Sequence, residues 1–169
     1  MRFLTLVLFF LINSLTVFGQ GESTQLRPHS TYQQNGFMVQ AILISDSTFF
    51  DRWTKLETPK ISPIATYKRG KILYPIILFA TDKFDKSGNA NLTYDFAIKQ
   101  PDGKIHGEIF RELEAWSGEP APKMHLVKRR LAIEIKEIDP LGVYQVVIFV
   151  HDKVRGETAS LSLFFEVIE

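Results

Sequence analysis

The stretch that most constrains the fold is the C-terminal segment 139–167, which has the pattern of a β-hairpin. It opens with Asp-Pro-Leu-Gly, in which the proline presets the backbone φ angle of a turn and the glycine relieves the backbone after it. Two runs rich in β-branched and aromatic residues follow, 145–150 and 159–167, and a polar turn with a glycine separates them. The segment therefore predicts two antiparallel strands joined by a short turn.

The turn leads directly to Tyr144, so that the chain reads Asp-x-x-Gly-x-Tyr from Asp139. This spacing resembles the start of the sixth strand of immunoglobulin-like sandwiches, where a tyrosine hydroxyl bonds the backbone of the preceding corner. Val146 stands two residues on, where antibody domains carry a cysteine. The resemblance implies a buried Tyr144 whose hydroxyl bonds the backbone within residues 136–142.

The composition is that of one globular domain. The chain has 169 residues, 45% of them hydrophobic and 23% charged, which is enough to build a core. Residues 1–19 contain a single charged residue, Arg2, so the remainder carries 19 basic and 19 acidic residues. A neutral chain has no basic surface for nucleic acid or an anionic membrane, so neither is expected as a partner.

Residues 1–19 have the pattern of a secretory signal peptide. Arg2 is the charged region, residues 3–12 are almost wholly apolar, and Val17 and Gly19 place small residues before a cleavage site at Gln20. The alternative, a membrane anchor, requires a longer apolar run. The chain contains no cysteine, which excludes disulfides and thiolate sites. We expect export to the periplasm or the extracellular space, without a membrane span after cleavage.

Strand patterns at regular spacing extend from residue 61 to the C-terminus. They number about seven, which an immunoglobulin-like sandwich needs. Residues 91–99 alternate cleanly between apolar and polar, and 105–110 are predicted to pair back on them as a hairpin. Residues 111–122 are predicted to be a loop and 124–138 one long strand. The predicted fold class is all-β: an immunoglobulin-like antiparallel sandwich over 61–169.

The segment before residue 61 is predicted to be accessory to that sandwich. Residues 20–36 are polar and are interpreted as a flexible leader. Residues 37–60 begin with a strand-length apolar run and continue into Phe49, Phe50 and Trp53, whose spacing places them on one face of a helix. We therefore expect a short accessory strand and helix before the sandwich.

Two strand patterns are apolar on both faces, 72–80 and 146–150. A two-sheet sandwich normally leaves each outer face polar, so something must cover an outer face here. The predicted helix has apolar side chains that no other part of the sandwich accounts for. We expect it to lie across that outer face, with Trp53 buried against Phe79 or Val147. Pro75 removes one donor from the strand ladder, which predicts an edge or a bulge at that position.

The loop predicted at 111–122 is the best candidate for binding a partner, because long ordered loops are often functional. It contains Trp116, with Glu114 and Glu119 on either side. Trp116 is predicted either to pack over the core or to be an exposed anchor for a partner. These three residues are the predicted partner-binding site.

Few residues suggest catalysis or metal binding. His151 and Asp152 are adjacent at a strand end and could seed an acid–base pair, the basis of a hydrolase alternative. The loop 82–89 holds oxygen ligands and a glycine but lacks the dense register of a calcium loop. No nucleophile elbow, phosphate loop or dinucleotide fingerprint occurs. We expect no catalytic residues, no cofactor and no metal.

The chain also resembles a family of uncharacterised exported bacterial proteins. The features that carry the resemblance are Phe37-x-x-Gln40, Phe49-Phe50-x-x-Trp53, Lys68-x-Gly70, Pro101-Asp102-Gly103-Lys104, Trp116 with Pro120-Ala121-Pro122, Asp139-Pro140-Leu141-Gly142-x-Tyr144 and Asp152. They span nearly the whole mature chain. The resemblance implies export and an immunoglobulin-like fold, and it implies no activity and no site residues.

The resulting functional hypothesis is a secreted or periplasmic non-catalytic binding or assembly module, with a protein partner in the cell envelope. Two alternatives stay open. The first is a carbohydrate-binding module, which needs coplanar exposed aromatics such as Trp116 with Phe110 or Tyr94. The second is a small hydrolase built around His151 and Asp152, which needs a nucleophile facing them in a cleft.

Overall fold

The computed structural model describes residues 25–53, 59–119 and 124–169. The predicted signal peptide, residues 1–19, lies outside the described residues. Within the described ranges the chain forms ten strands and one short helix: β1 (His29–Gln34), β2 (Phe37–Ile44), α1 (Phe49–Trp53), β3 (Thr66–Lys68), β4 (Ile72–Thr81), β5 (Ala90–Lys99), β6 (Phe110–Gly118), β7 (His125–Leu126), β8 (Ile133–Glu134), β9 (Gly142–Asp152) and β10 (Glu157–Ile168).

These strands form two sheets that pack against each other, so the chain is an all-β sandwich, as predicted. The first sheet has the order β1-β2-β4-β7, and β8 pairs with β4 as well. The second sheet has the order β3-β10-β9-β5-β6. Among the described strand pairs, β3 with β10 is parallel and the others are antiparallel.

The core lies between the sheets and is built by strict alternation. In β10, every second residue from Ala159 to Val167 is buried, and β9 alternates in the same way. The inward positions predicted for β5 are confirmed, since Leu92, Tyr94 and Phe96 are buried. The predicted hairpin 139–167 is confirmed too, with eleven residue pairs from Glu157↔Asp152 to Val167↔Gly142.

The corner before β9 has the geometry expected from the sequence. Tyr144 is fully buried, and its hydroxyl donates a hydrogen bond of 2.8 Å to the carbonyl of Pro140. Asp139 closes the same corner by accepting the amide of Lys136 at 2.7 Å. Gly142 has a φ of +121° and lies so close to Pro101 that an added Cβ would come within 3.2 Å of it. The tyrosine therefore ties the start of β9 to the turn that precedes it.

The expected helix covers the outer face of the first sheet. Phe49 and Phe50 of α1 are buried against Ile42 of β2 and against Ile76 and Leu78 of β4. This explains why the 72–80 pattern is apolar on both faces, because one face meets the core and the other meets the helix.

The expected contacts of Trp53 are wrong. Trp53 is only partly buried and packs beside Phe49, with ring centroids 5.6 Å apart. Phe79 lies on the opposite, inner face of β4, and Val147 belongs to the second sheet. The outer face at Val147 is not covered by α1, and its neighbour Phe149 is 38% exposed. A single exposed aromatic is ordinary on a protein surface.

The boundary between an accessory segment and a sandwich starting at residue 61 is not where the sequence pattern places it. Residues 29–34, interpreted as part of a flexible leader, form β1 at the edge of the first sheet. The segment is polar because an edge strand exposes most of its side chains, and Tyr32 alone packs on the core. β2 lies between β1 and β4, so it is an integral strand of the sandwich.

Two predictions for residues 105–122 are wrong in detail. Residues 105–109 form no strand and make one isolated bridge, Lys99↔Ile105. Of the predicted loop 111–122, residues 111–118 belong to the strand β6, whose pairing with β5 contains bulges, and residues 120–122 lie outside the described residues.

The predicted long strand 124–138 is in fact two short ones, β7 and β8. They pair with opposite halves of β4, at Leu78 and Phe79 and at Ile72 and Leu73. Pro75 lies between these two pairings and has no N–H to donate. On this side Pro75 faces no strand among the described residues, which agrees with the predicted edge position, while its pairing with Leu43 of β2 continues without a bulge.

The corner can be tested by removing the Tyr144 hydroxyl. Tyr144→Phe should lower the free energy of unfolding by about 1 kcal/mol, because the hydrogen bond to the Pro140 carbonyl is lost while the ring still fills the core. Urea titration followed by intrinsic fluorescence measures the change. An unchanged unfolding midpoint would show that the corner does not depend on this hydrogen bond.

The helix can be tested by a pair of truncations. Phe49→Ala should lower the free energy of unfolding by about 3–5 kcal/mol, because the ring is buried and leaves a cavity. Trp53→Ala should cost clearly less, because its ring is only half-buried. Equal losses, or a larger loss for Trp53, would contradict the packing of α1 described above.

Candidate functional site

A cleft opens at the edge of the sandwich where the chain passes from one sheet to the other. Its volume is about 560 Å³, and its lining includes Ser45, Ile64, Tyr67, Lys68, Lys71 and Tyr74. The lining comes from β3 of the second sheet, from the start of β4 in the first sheet and from the loops beside them. Clefts that hold small ligands commonly have volumes of about 300–1,000 Å³.

One residue that lines the cleft, Tyr67, carries an unusual polar group. The side chain is 2% exposed, and its hydroxyl oxygen is buried without a hydrogen-bond partner among the described residues. Burial, with smaller contributions from Tyr74 and Glu134, raises the pKa of Tyr67 above its ordinary value. The phenol is therefore neutral at physiological pH and has a proton to donate.

The sequence singles out Trp116, and the structure places this residue on β6 beside the core. Its ring centroid is 4.4 Å from that of His125 and 5.9 Å from that of Phe79, and its indole N–H donates to the Gly118 carbonyl at 3.2 Å. The ammonium of Lys128 lies 5.2 Å from the same ring centroid. Of the two predicted roles, packing over the core describes Trp116 better than an exposed anchor.

The two glutamates predicted beside Trp116 are both exposed. Glu114 lies on β6 and its carboxylate is 3.0 Å from the Lys128 ammonium. Glu119 follows β6 at the end of a described range. A protein partner at Trp116, Glu114 and Glu119 stays a prediction.

Of the aromatic residues considered for a carbohydrate platform, Tyr94 is excluded by its burial. Tyr94 has no exposed surface and its hydroxyl donates to the Arg129 carbonyl at 2.9 Å. Phe110 and Trp116 are partly buried against the core. A sugar could not stack on Tyr94.

His151 and Asp152 do not form an acid–base pair, because adjacent residues of a strand face opposite sides. Asp152 is buried and accepts the Thr81 hydroxyl at 2.9 Å and the amides of Val154 and Arg155 at 3.0 and 2.9 Å. It is a structural group that closes the β9–β10 turn and joins it to the end of β4. The acid–base pair that the hydrolase hypothesis required from His151 and Asp152 is therefore not formed.

His151 points instead to the outer face of the second sheet, where two carboxylates lie nearby. Its Nε2 is 3.6 Å from a carboxylate oxygen of Asp95, and Asp95 accepts the backbone amide of Glu112 at 2.8 Å. The carboxylate of Glu112 accepts hydrogen bonds from the Lys153 ammonium at 2.9 Å and from the Thr93 hydroxyl at 3.0 Å. The Lys153 hydrogen bond, followed by that of Thr93, lowers the pKa of Glu112, which keeps its carboxylate ionised.

The loop 82–89 uses its carboxylates on itself and its neighbours. Asp85 accepts the amides of Ser87 and Asn89 at 2.8 and 3.0 Å, and Asp82 pairs with Arg155. These contacts explain the polar composition of the loop without an ion.

Sequence patterns missed the residues that the fold brings together here. Nothing in the sequence pattern singles out Tyr67, because its burial depends on packing between β3 and β10. Asp95 was expected to face outward, which it does, and the missing information was that β9 places His151 beside it. No spacing along the chain shows such a neighbour, since Asp95, Glu112 and His151 come from three strands.

In the described part of the chain, no helix is long and apolar enough to cross a bilayer. No protein-family model and no curated protein matches the sequence.

Several solved structures are similar in part. One is the alkylpurine DNA glycosylase AlkC of Pseudomonas fluorescens, with 20% identity and a TM-score of 0.41 over 62% of this chain and 28% of that one. Another is a family 123 glycoside hydrolase of Clostridium perfringens, with 14% identity and a TM-score of 0.46 over 78% and 27%. The chain thus spans about a quarter of the length of each of these proteins.

A third similar structure is a Niemann-Pick type C2 protein of the Japanese carpenter ant, with 6% identity and a TM-score of 0.43 over 87% of this chain and 98% of that one. At these identities and scores the likeness to the three structures assigns no function to this chain.

Proposed function

We propose that this protein is an exported, non-catalytic binding module and that the edge cleft is its binding site. The observation that carries the proposal is that Tyr67, whose hydroxyl is a buried donor without a partner among the described residues, lines a cleft of ligand-binding size. An unsatisfied buried polar group costs about 1–3 kcal/mol, so folded proteins keep few of them. A ligand that supplies an acceptor would recover that cost.

The charges around the cleft favour an acidic ligand. Lys68 and Lys71 line it and are both exposed, and a carboxylate would be the strongest acceptor for the Tyr67 hydroxyl. Ile64, Ile72 and the ring of Tyr74 supply apolar surface in the same lining. The ligand chemistry is therefore a carboxylate attached to an apolar body, presented by a small molecule or by a segment of a partner protein.

The immunoglobulin-like form of the sandwich belongs to this proposal. It is supported by the Tyr144 hydrogen bond at the corner and by the strand order β10-β9-β5-β6, which corresponds to the G-F-C-C′ order of variable-type domains. Export rests on residues 1–19, and the resemblance to exported bacterial proteins favours a partner in the cell envelope. Residues 20–169 hold equal numbers of acidic and basic residues, which makes nucleic acid an unsuitable ligand.

The ligand chemistry can be tested by NMR titration with hexanoate and with hexanol, a neutral ligand of equal length. Hexanoate should shift the resonances of Ile64, Tyr67 and Ile72 in a saturable way and bind about tenfold more tightly than hexanol. A peptide ending in an apolar residue with a free carboxylate should act at the same residues if the natural ligand is a protein segment. Shifts confined to the surface at Trp116, Glu114 and Glu119 would overturn the assignment of the cleft.

The Tyr67 hydroxyl itself can be tested by comparing two Tyr→Phe variants. Tyr67→Phe should leave the free energy of unfolding unchanged or slightly higher, because it removes a buried group with no partner, whereas Tyr144→Phe removes a bonded one. The same variant should weaken hexanoate binding by about 5- to 30-fold. A loss of stability in Tyr67→Phe comparable to that in Tyr144→Phe would show that the hydroxyl is already bonded within the protein.

A further inference from the structure

Three strands of the second sheet bring one histidine and two carboxylates together on its outer face. Asp95 of β5 is paired with Phe149 of β9, so His151, two residues further along β9, lies diagonally across on the same face. Glu112 sits in β6, where the pairing with β5 is irregular between Tyr94 and Phe96. One ligand atom from each of Asp95, Glu112 and His151 lies within 4.8 Å of the other two.

Backbone geometry holds the third of these groups in place. Glu112 has a φ of +51°, which side-chain-bearing residues adopt rarely, and its amide donates to Asp95 at 2.8 Å. Glu112 precedes Leu113, which pairs with Tyr94, so Glu112 lies opposite Asp95 on the outer face of the sheet.

His151 offers a nitrogen that the protein leaves unused. Its Nδ1 is 3.0 Å from the hydroxyl of Thr158, which fixes the ring, while Nε2 is buried and has no hydrogen-bond partner among the described residues. Nε2 faces the Asp95 carboxylate at 3.6 Å. When Nδ1 carries the proton, the lone pair of Nε2 faces a negatively charged oxygen, an arrangement that a cation between them would stabilise.

We propose that Asp95, Glu112 and His151 form a binding site for a divalent transition metal of the zinc class. Zinc binds histidine nitrogen and carboxylate oxygen at about 2.0–2.2 Å in tetrahedral geometry, which places two ligand atoms roughly 3.3–3.6 Å apart. The 3.6 Å between His151 Nε2 and Asp95 fits that separation. Glu112 is exposed and can close the remaining distance by rotating its side chain.

The histidine selects the class of metal, because imidazole suits zinc and its neighbours, whereas calcium and magnesium prefer oxygen ligands alone. Thr158 has the position of the outer hydrogen-bonding group that orients a ligating histidine through its other nitrogen. Three protein ligands leave a fourth position open to water or to a group from a partner. This site is separate from the edge cleft and does not depend on the function proposed there.

Two cationic side chains compete for the same carboxylates. The ammonium of Lys153 is 2.8 Å from Glu112, and a guanidinium nitrogen of Arg111 is 4.0 Å from Asp95. A metal ion would displace Lys153 from Glu112. Removing the ammonium should therefore strengthen metal binding, a result that a purely structural cluster would not produce.

The test is isothermal titration of the full mature chain, free of any histidine tag, with zinc chloride. We expect one ion per chain with a Kd of about 10 µM or tighter, together with a rise in melting temperature. His151→Ala and Glu112→Gln should each weaken binding at least tenfold, and Lys153→Met should strengthen it. Circular dichroism of each variant checks that the sandwich remains folded.

His106→Ala is the matched control, because His106 also lies beside an aspartate, with 3.7 Å to Asp139, but belongs to no three-ligand group among the described residues. Its zinc affinity should equal that of the wild type. The proposal is overturned if saturable binding is absent below about 100 µM, if His151→Ala binds zinc as the wild type does, or if Lys153→Met does not bind more tightly. Equal affinity for calcium would overturn the zinc class.

Discussion

The register of β9 is the constraint on which the rest of this structure depends. Adjacent residues of a strand face opposite sides, so a shift of one residue would exchange every inward and outward side chain. Tyr144 sets this register at the start of the strand by bonding Pro140, and Asp152 sets it at the end by accepting Thr81 and the amides of the following turn. With both ends held, four core residues of β9 face the first sheet: Tyr144, Val146, Ile148 and Val150.

The same register separates two residues that look like a functional pair in the sequence. Asp152 faces inward and is used entirely by the fold, whereas His151 faces outward and meets Asp95. The chemistry available to His151 is thus decided by β5, the neighbouring strand in the sheet, and not by its neighbour in the chain. A metal site on this face would tie β5, β6 and β9 together on the side away from the core.

In the first sheet, β4 is apolar on both of its faces, so both faces must be covered. Ile77 and Phe79 enter the core, while Ile76 and Leu78 are covered by Phe49 and Phe50 of α1. The chain then has to return from the helix to the second sheet, and it does so through β3, beside which the edge cleft opens. The cleft lies beside this crossing, and Tyr67 is buried because its ring packs on Phe165 of β10.

The sequence by itself determined the elements whose signals are local. Alternation in β5 and β10, the turn at Asp139, the buried Tyr144 and the helical face of Phe49 and Phe50 could all be predicted, because periodicity and turn chemistry act over a few residues. Only the tertiary structure decided that residues 29–34 are a strand, since a polar edge strand is defined by the neighbour it pairs with. The tertiary structure also decided where the two candidate sites lie. Tyr67 lacks a partner, and His151 meets Asp95 and Glu112, only after distant strands pack. No local pattern encodes which residues meet across a sheet.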